Sequence, residues 1–217
     1  MPNSTRTTKR SRRWSGMSVA DRQAERRTLL LGAAFDLLGT DGSGALTVRS
    51  LIERARLNPR YFYESFEDLD ELVVAVYDRV VDELAHVVLS ALEHAGDDPA
   101  AQLRAVIESS VAFVDEDRRR GRVLYVEALG NEALNRRRLE SGNAVVAFIE
   151  RTAAERSDVP IDHIGRVGAA MLVGGFTEVL IEWLAGRIPV SRAQLVDDAT
   201  ELFLALGDAA GAIAARR

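Results

Sequence analysis

From Val19 onward, apolar residues in this chain recur at three- and four-residue intervals and nowhere alternate in twos. Such spacing lines one stripe of a helix, whereas a half-buried strand needs strict alternation. An all-α fold follows. Leu30, Ala33, Ala34, Leu37 and Leu38 mark the buried stripe of a first helix, and Gly39, Gly42 and Gly44 around Asp41 end it. Thr47 can cap a short second helix, with Val48, Leu51, Ile52 and Ala55 on its apolar side. Asn58-Pro59 reads as an N-cap followed by proline at the first helical position, where the missing N–H is no loss. That third helix, Arg60 to Phe66, is about two turns long. Glu67-Asp68 opens a fourth, running to about Ala95. Past Gly96 to Pro99 the spacing predicts helices near 100–117, 119–130, 132–156, 162–185 and 191–214. Breaks are expected at about Gly121, at Gly130-Asn131, from Ser157 to Pro160 and from Gly186 to Pro189.

Charge divides the chain unevenly. Through Phe62 it carries twelve Lys/Arg against five acids, a surplus of seven, so with a net charge of −5 the remainder stands at −12. A basic head on an acidic body is the asymmetry expected when one end meets phosphates. Residues 1–18, with Arg6, Lys9, Arg10, Arg12 and Arg13, are polar and aperiodic and read as a disordered basic arm. Arg12-Arg13 raises the thought of a twin-arginine export signal. However, the chain continues with Ser15, Ser18, Asp21, Arg22 and Glu25 where an apolar stretch is required. The most apolar stretch, Val167 to Ala185, is interrupted by Glu178 and Glu182, so no bilayer span and a cytoplasmic location are expected. With no cysteine, thiolate metal sites and disulfides are excluded.

Three helices within about fifty residues, the last two joined by a tight turn, describe a helix-turn-helix over residues 19–72. In that motif the last helix enters the major groove N-terminal end first, while the preceding helix crosses the backbone. Leu51, Ala55, Leu57, Phe62 and Phe66 suit the inner faces, leaving Arg60, Tyr61, Glu64 and Ser65 outside. Arg49, Arg60 and Tyr61 are the candidate groove contacts, and Arg60 has the fork to take guanine in two hydrogen bonds.

The stretch TVRSLIERARLNPRYFYESFEDLDELV resembles the DNA-binding region of the TetR family of transcriptional regulators: Thr47, Asn58, Tyr63, Phe66, Asp70, Glu71 and Leu72 match the family pattern in order and spacing. LVGGFTEVLIEWLAG is similar to the family's penultimate helix. The resemblance implies a three-helix head, a larger helical ligand-binding and dimerisation domain over residues 73–217, and a homodimer acting on a pseudo-palindromic double-stranded operator. It implies phosphate contacts at Thr47 and Tyr63, with Asn58 and Pro59 beside the reading residues, and a repressor released by a small, largely apolar effector. Two positions depart from the pattern. Arg56 stands where glycine is usual in the turn, and Leu69 stands where a lysine usually meets phosphate.

In the larger domain the candidate pocket residues are Phe113, Tyr125, Phe148, Met171, Phe176 and Trp183, with Glu127 as a polar handle. The candidate dimer interface is Leu172, Phe176, Val179, Leu195, Leu202 and Phe203 on the last two helices, paired with their two-fold mates. An enzyme is not expected. His86, His94 and His163 form no metal-binding pair, and Asp78, Asp82 and His86, at four-residue steps, read as an outer helix face. No cofactor or metal is implied. A helical scaffold without DNA binding is the competing reading, to be separated by a gel shift.

Overall fold

The computed structural model describes residues 18–156 and 163–216, so the basic arm lies outside the described residues apart from Ser18. Every regular element among the described residues is helical. Helix α1 (Val19–Thr40) starts at a capping box: the Ser18 hydroxyl accepts from the Asp21 N–H and the Asp21 carboxylate from the Ser18 N–H, each at 3.0 Å. Two otherwise orphaned donors are thereby satisfied. A 3₁₀ turn (Ser43–Ala45) leads to α2 (Val48–Ala55), α3 (Pro59–Tyr63) and the long α4 (Leu69–His94). Helix α3 is shorter than the expected Arg60 to Phe66. The Ser65 and Phe66 N–H groups both donate to the Phe62 carbonyl at 2.9 Å, and the chain then leaves for the Asp68 cap of α4.

Leu30, Ala34 and Leu38 of α1, Leu51 of α2, Phe62 and Phe66 of and after α3, and Leu72 of α4 bury into one core. Each large side chain contributes about 1.5–3 kcal/mol by leaving water. That core, more than the propensity of two very short helices, holds α2 and α3 at their angle.

The body follows as α5 (Pro99–Glu116), α6 (Arg118–Gly121), a π-helical turn (Arg122–Val126), α7 (Glu127–Gly130), α8 (Glu132–Arg156), α9 (His163–Leu184) and α10 (Arg192–Ala214). The break expected near Gly121 falls instead at Asp117, whose carboxylate caps α6. Gly121 sits inside the helical run, where a Cβ would strike the Leu184 side chain. Its smallness serves close packing against α9, not chain reversal. Trp183 is buried near the end of α9, and its indole N–H donates to the Val190 carbonyl at 3.0 Å, clasping the loop into α10.

Helix α9 is long and apolar enough to cross a membrane by length and composition, with a mean hydropathy of 1.5 over a window that is only 17% buried. Its exposed apolar side chains include Val167 and Met171, at 52% and 60% exposure, beside Leu202 of α10 at 69%. Of the six residues expected to meet a partner, one is buried, four are partly exposed and one is open. Leu195 is buried within the chain, and Phe176 and Phe203 meet edge to face at 5.6 Å between α9 and α10. Leu172, Phe176, Val179 and Phe203 are half-buried and Leu202 is exposed, so five of the six keep surface that a second copy could cover.

Candidate nucleic-acid interface

The exposed edge of the head is assembled by two caps. The Thr47 hydroxyl accepts from the Ser50 N–H and the Ser50 hydroxyl from the Thr47 N–H, each at 3.0 Å, so α2 begins on a hydroxyl pair at the surface. A cap of this kind is worth about 1 kcal/mol. Asn58 accepts from the Arg60 N–H at 3.0 Å and Pro59 occupies the first turn, which starts α3 at one defined residue. On that frame Tyr63 is 66% exposed, its ring and that of Phe62 set edge to face with centroids 5.1 Å apart. Arg60 and Arg49 reach outward and are held by their own helices, Arg60 by Glu64 at 2.5 Å and Arg49 by Glu53 at 2.9 Å. Thr47, Arg49, Asn58, Pro59, Arg60 and Tyr63 are all exposed.

Tyr61 is placed otherwise. It is half-buried under the Arg26 guanidinium, 4.2 Å from the ring centroid, and Arg26 also pairs with Glu64 at 3.6 Å. Tyr61 thus faces α1 and fixes α3 on it instead of standing free for the groove. Arg27 over Phe66 at 4.3 Å and Gln23 donating to the Glu64 carbonyl at 3.3 Å add to the same seam. Arg56, the C-cap of α2, adopts φ 54° and ψ 42° in the left-handed region. A non-glycine residue there carries strain of about 1–2 kcal/mol.

The head is tied to the body by a set of polar contacts that the sequence does not announce. Arg119 of α6 pairs with Asp36 of α1 at 2.7 Å and with Asp117, whose carboxyl it holds below its ordinary value. Arg122 donates to the Thr40 carbonyl at 2.7 Å and to the Glu127 carboxylate at 2.8 Å. Glu127, only 7% exposed, also accepts from the backbone N–H of Ser43 at 2.6 Å. Burial pushes the Glu127 carboxyl up, but the Ser43 N–H and the Arg122 guanidinium outweigh it and leave the carboxyl below its usual value. Gly39 lies so close to α6 that a Cβ would strike Arg119. Glu127 is therefore a clamp between body and head, not a polar handle in a ligand pocket.

The other expected pocket residues are not brought together. Phe148 and Met171 are exposed, Trp183 closes its own loop, and Phe176 packs on Phe203. Phe113 is buried under Arg120, with the guanidinium 4.2 Å from its ring, and lines an open cleft of about 290 Å³ with Glu83, His86, Val87, Ala112 and Glu116. Tyr125 is partly buried near Tyr77, and loss of water around them pushes both phenols up. Ser141 and Arg138 stand near Tyr77, and the Arg138 Nε is buried without a partner among the described residues. Asp78 is engaged by Arg137, which takes the first residue of the Asp78, Asp82, His86 row for an ion pair.

No protein-family profile matches the chain. Among characterised proteins it is 32% identical over 183 residues to the HTH-type transcriptional activator FasR of Mycolicibacterium smegmatis, covering 80% of this chain and 78% of that one. It is also 32% identical over 85 residues to the HTH-type transcriptional regulator BetI of Stenotrophomonas maltophilia, spanning 39% of this chain and 43% of that relative. Among solved structures, a TetR-like transcriptional regulator from Rhodococcus sp. RHA1 superposes with a TM-score of 0.67 at 20% identity, covering 87% of this chain and 97% of that chain. The multidrug binding protein EbrR, complexed with imidazole, superposes with a TM-score of 0.62 at 24% identity over 83% and 94% of the respective chains.

Proposed function

Since this chain belongs to the TetR family of helix-turn-helix transcriptional regulators, we propose that it is a ligand-responsive homodimer whose two heads read a pseudo-palindromic operator. The observation that carries this reading is the exposed row on the head, with Thr47 capping α2, Arg60 at the start of α3 and Tyr63 one turn on. Arg60 reads a base edge, while Thr47 and Tyr63 take phosphates and set the register. The outward apolar face of Val167, Met171 and Leu202 supports pairing of α9 and α10 with a second copy, which would also cover an apolar helix that is otherwise largely bare. Residues 19–72 act as the reading unit and residues 73–217 as the unit that senses and dimerises, in the cytoplasm.

The effector is a small, largely apolar molecule taken up among the body helices, with Tyr77, Tyr125 and Arg138 as its polar neighbours. EbrR, of the same fold, is a multidrug binding protein, which supports a small-molecule effector here. The molecule acts by population shift, favouring a body in which the head spacing no longer fits the operator. The Arg119, Arg122 and Glu127 contacts are the route by which movement of α6 and α7 reaches α1. Release from DNA makes the protein a repressor. Similarity to FasR, an activator, favours a second reading in which the bound dimer recruits transcription.

A gel shift against the DNA upstream of the protein's own gene, repeated at rising salt, tests the first step. A shift that survives unrelated competitor DNA supports the regulator, and its absence at low salt overturns it. A reporter on the same DNA, with and without the protein, then decides between repression and activation.

A further inference from the structure

We infer that Arg56, in the turn between α2 and α3, is a DNA-phosphate contact, and that its strained backbone is retained for that contact. The inference rests on the head reading DNA as proposed above. Arg56 is the one non-glycine residue with positive φ among the described residues. Its cap function is performed by the backbone, whose N–H donates to the Glu53 and Ile52 carbonyls, so any residue in this conformation would do the same. Glycine would do it without strain. A side chain kept at a strained position, with no part in the fold, points to a role outside the fold.

The surroundings say what that role is. The guanidinium is exposed and has no acid or aromatic partner. Most other arginines among the described residues of the head are occupied: Arg26 by Tyr61 and Glu64, Arg27 by Phe66, Arg49 by Glu53, Arg54 by Asp41 and Arg60 by Glu64. Only Arg22 shares the freedom of Arg56, and it lies in the first turn of α1, while Arg56 precedes the Asn58 cap of the reading helix by two residues. In a helix-turn-helix the N-terminal end of that helix approaches the groove, which brings the turn alongside the phosphates flanking it. The start of α4 offers no cation there. Leu69 packs toward the core, and Glu67, Asp68, Asp70 and Glu71 surround it, all repelling phosphate. At the turn itself, Arg54 and Arg60 on either side are each paired with an acid, so Arg56 is the cation there with no acid partner.

The test uses the full-length protein and a duplex enriched by the wild type from random sequence, with binding followed by fluorescence anisotropy from 50 to 200 mM salt. Three variants are compared: Arg56→Lys keeps the charge, Arg56→Gln keeps the strain without it, and Arg56→Gly removes both. One phosphate per head is two per dimer, so Gln and Gly should flatten the log–log salt slope by about 1.8. Over that salt range the affinity advantage of the wild type then shrinks by about 12-fold. Lys should keep the wild-type slope, and Gly should unfold at or above the wild-type midpoint. Unchanged slopes in Gln and Gly overturn the inference, as does a lowered midpoint in Gly with an unchanged slope. If the wild type enriches no duplex, it is the regulator reading that falls, and this inference falls with it.

Discussion

Replacing Glu127 by glutamine tests whether the body clamps the head through this carboxylate. In the native chain the carboxylate accepts the Ser43 N–H at 2.6 Å and the Arg122 Nε–H at 2.8 Å. A glutamine amide has one oxygen for these two donors and turns its NH₂ toward the other. Hydrogen bonds to a charged acceptor are worth about 1.5–3 kcal/mol each, and part of that remains in the neutral bond that survives. Because Arg122 is about a third exposed, its share is discounted, and a net loss of about 2 kcal/mol is expected. For a chain of this size that lowers Tm by about 4–8 °C. Amide exchange at Ser43 should quicken by about 30-fold if the opening is local, since about 1.4 kcal/mol is a factor of ten. The pH dependence gives an independent check. The folded carboxyl titrates below its ordinary value of 4.5, so its stabilisation is complete above that value and is lost as pH falls through the folded value. The gap between wild type and Glu127→Gln should therefore be full at pH 7 and begin to narrow only as pH falls below 4.5. Equal midpoints at pH 7, or a gap that does not narrow at all on acidification, would refute the clamp.

Two further substitutions probe the proposed interfaces. Arg60→Ala should relax preference at one operator base pair by about 1–3 kcal/mol, whereas Tyr63→Phe should weaken all duplexes alike, as measured on a panel of single-base operator variants. If both weaken binding with no change in preference, Arg60 is another phosphate contact. Met171→Asp places a carboxylate on the exposed face of α9 and should convert a dimer into a species near the chain mass of 23.8 kDa in sedimentation, with helicity unchanged. A dimer that persists would move the interface elsewhere.

Which of these features could be read from the sequence depended on the range of the interaction. Helix α1 was legible because Leu30, Ala33, Ala34, Leu37 and Leu38 repeat over enough turns for periodicity to speak, and all five are buried. The caps at Thr47 and Asn58 were legible because a short polar side chain before an apolar run has one favoured use. Helix α3, at five residues, has no period of its own, so nothing in its pattern separates Tyr61, which is pinned beneath Arg26, from Tyr63, which is free. The π-helical turn was likewise invisible: one widened turn shifts the apolar phase too little to register over five residues.

Glu127 marks the limit most clearly. Its partner is a backbone N–H 84 residues earlier in the chain, and a backbone donor carries no sequence signature. An acid among apolar residues in a middle helix reads equally well as a ligand handle or as a clamp, and only geometry separates the two. That geometry has a functional consequence. The contacts from Arg119, Arg122 and Glu127 all end on the last turn of α1 or on the turn after it, and none reaches α2 or α3. The body therefore grips the head behind its reading surface. An effector that shifted the π-helical turn would move the head as a unit and leave Arg60 and Tyr63 in register with each other. Loss of operator binding would then come from the spacing between two intact heads, and an isolated half-site should be bound equally well with and without effector.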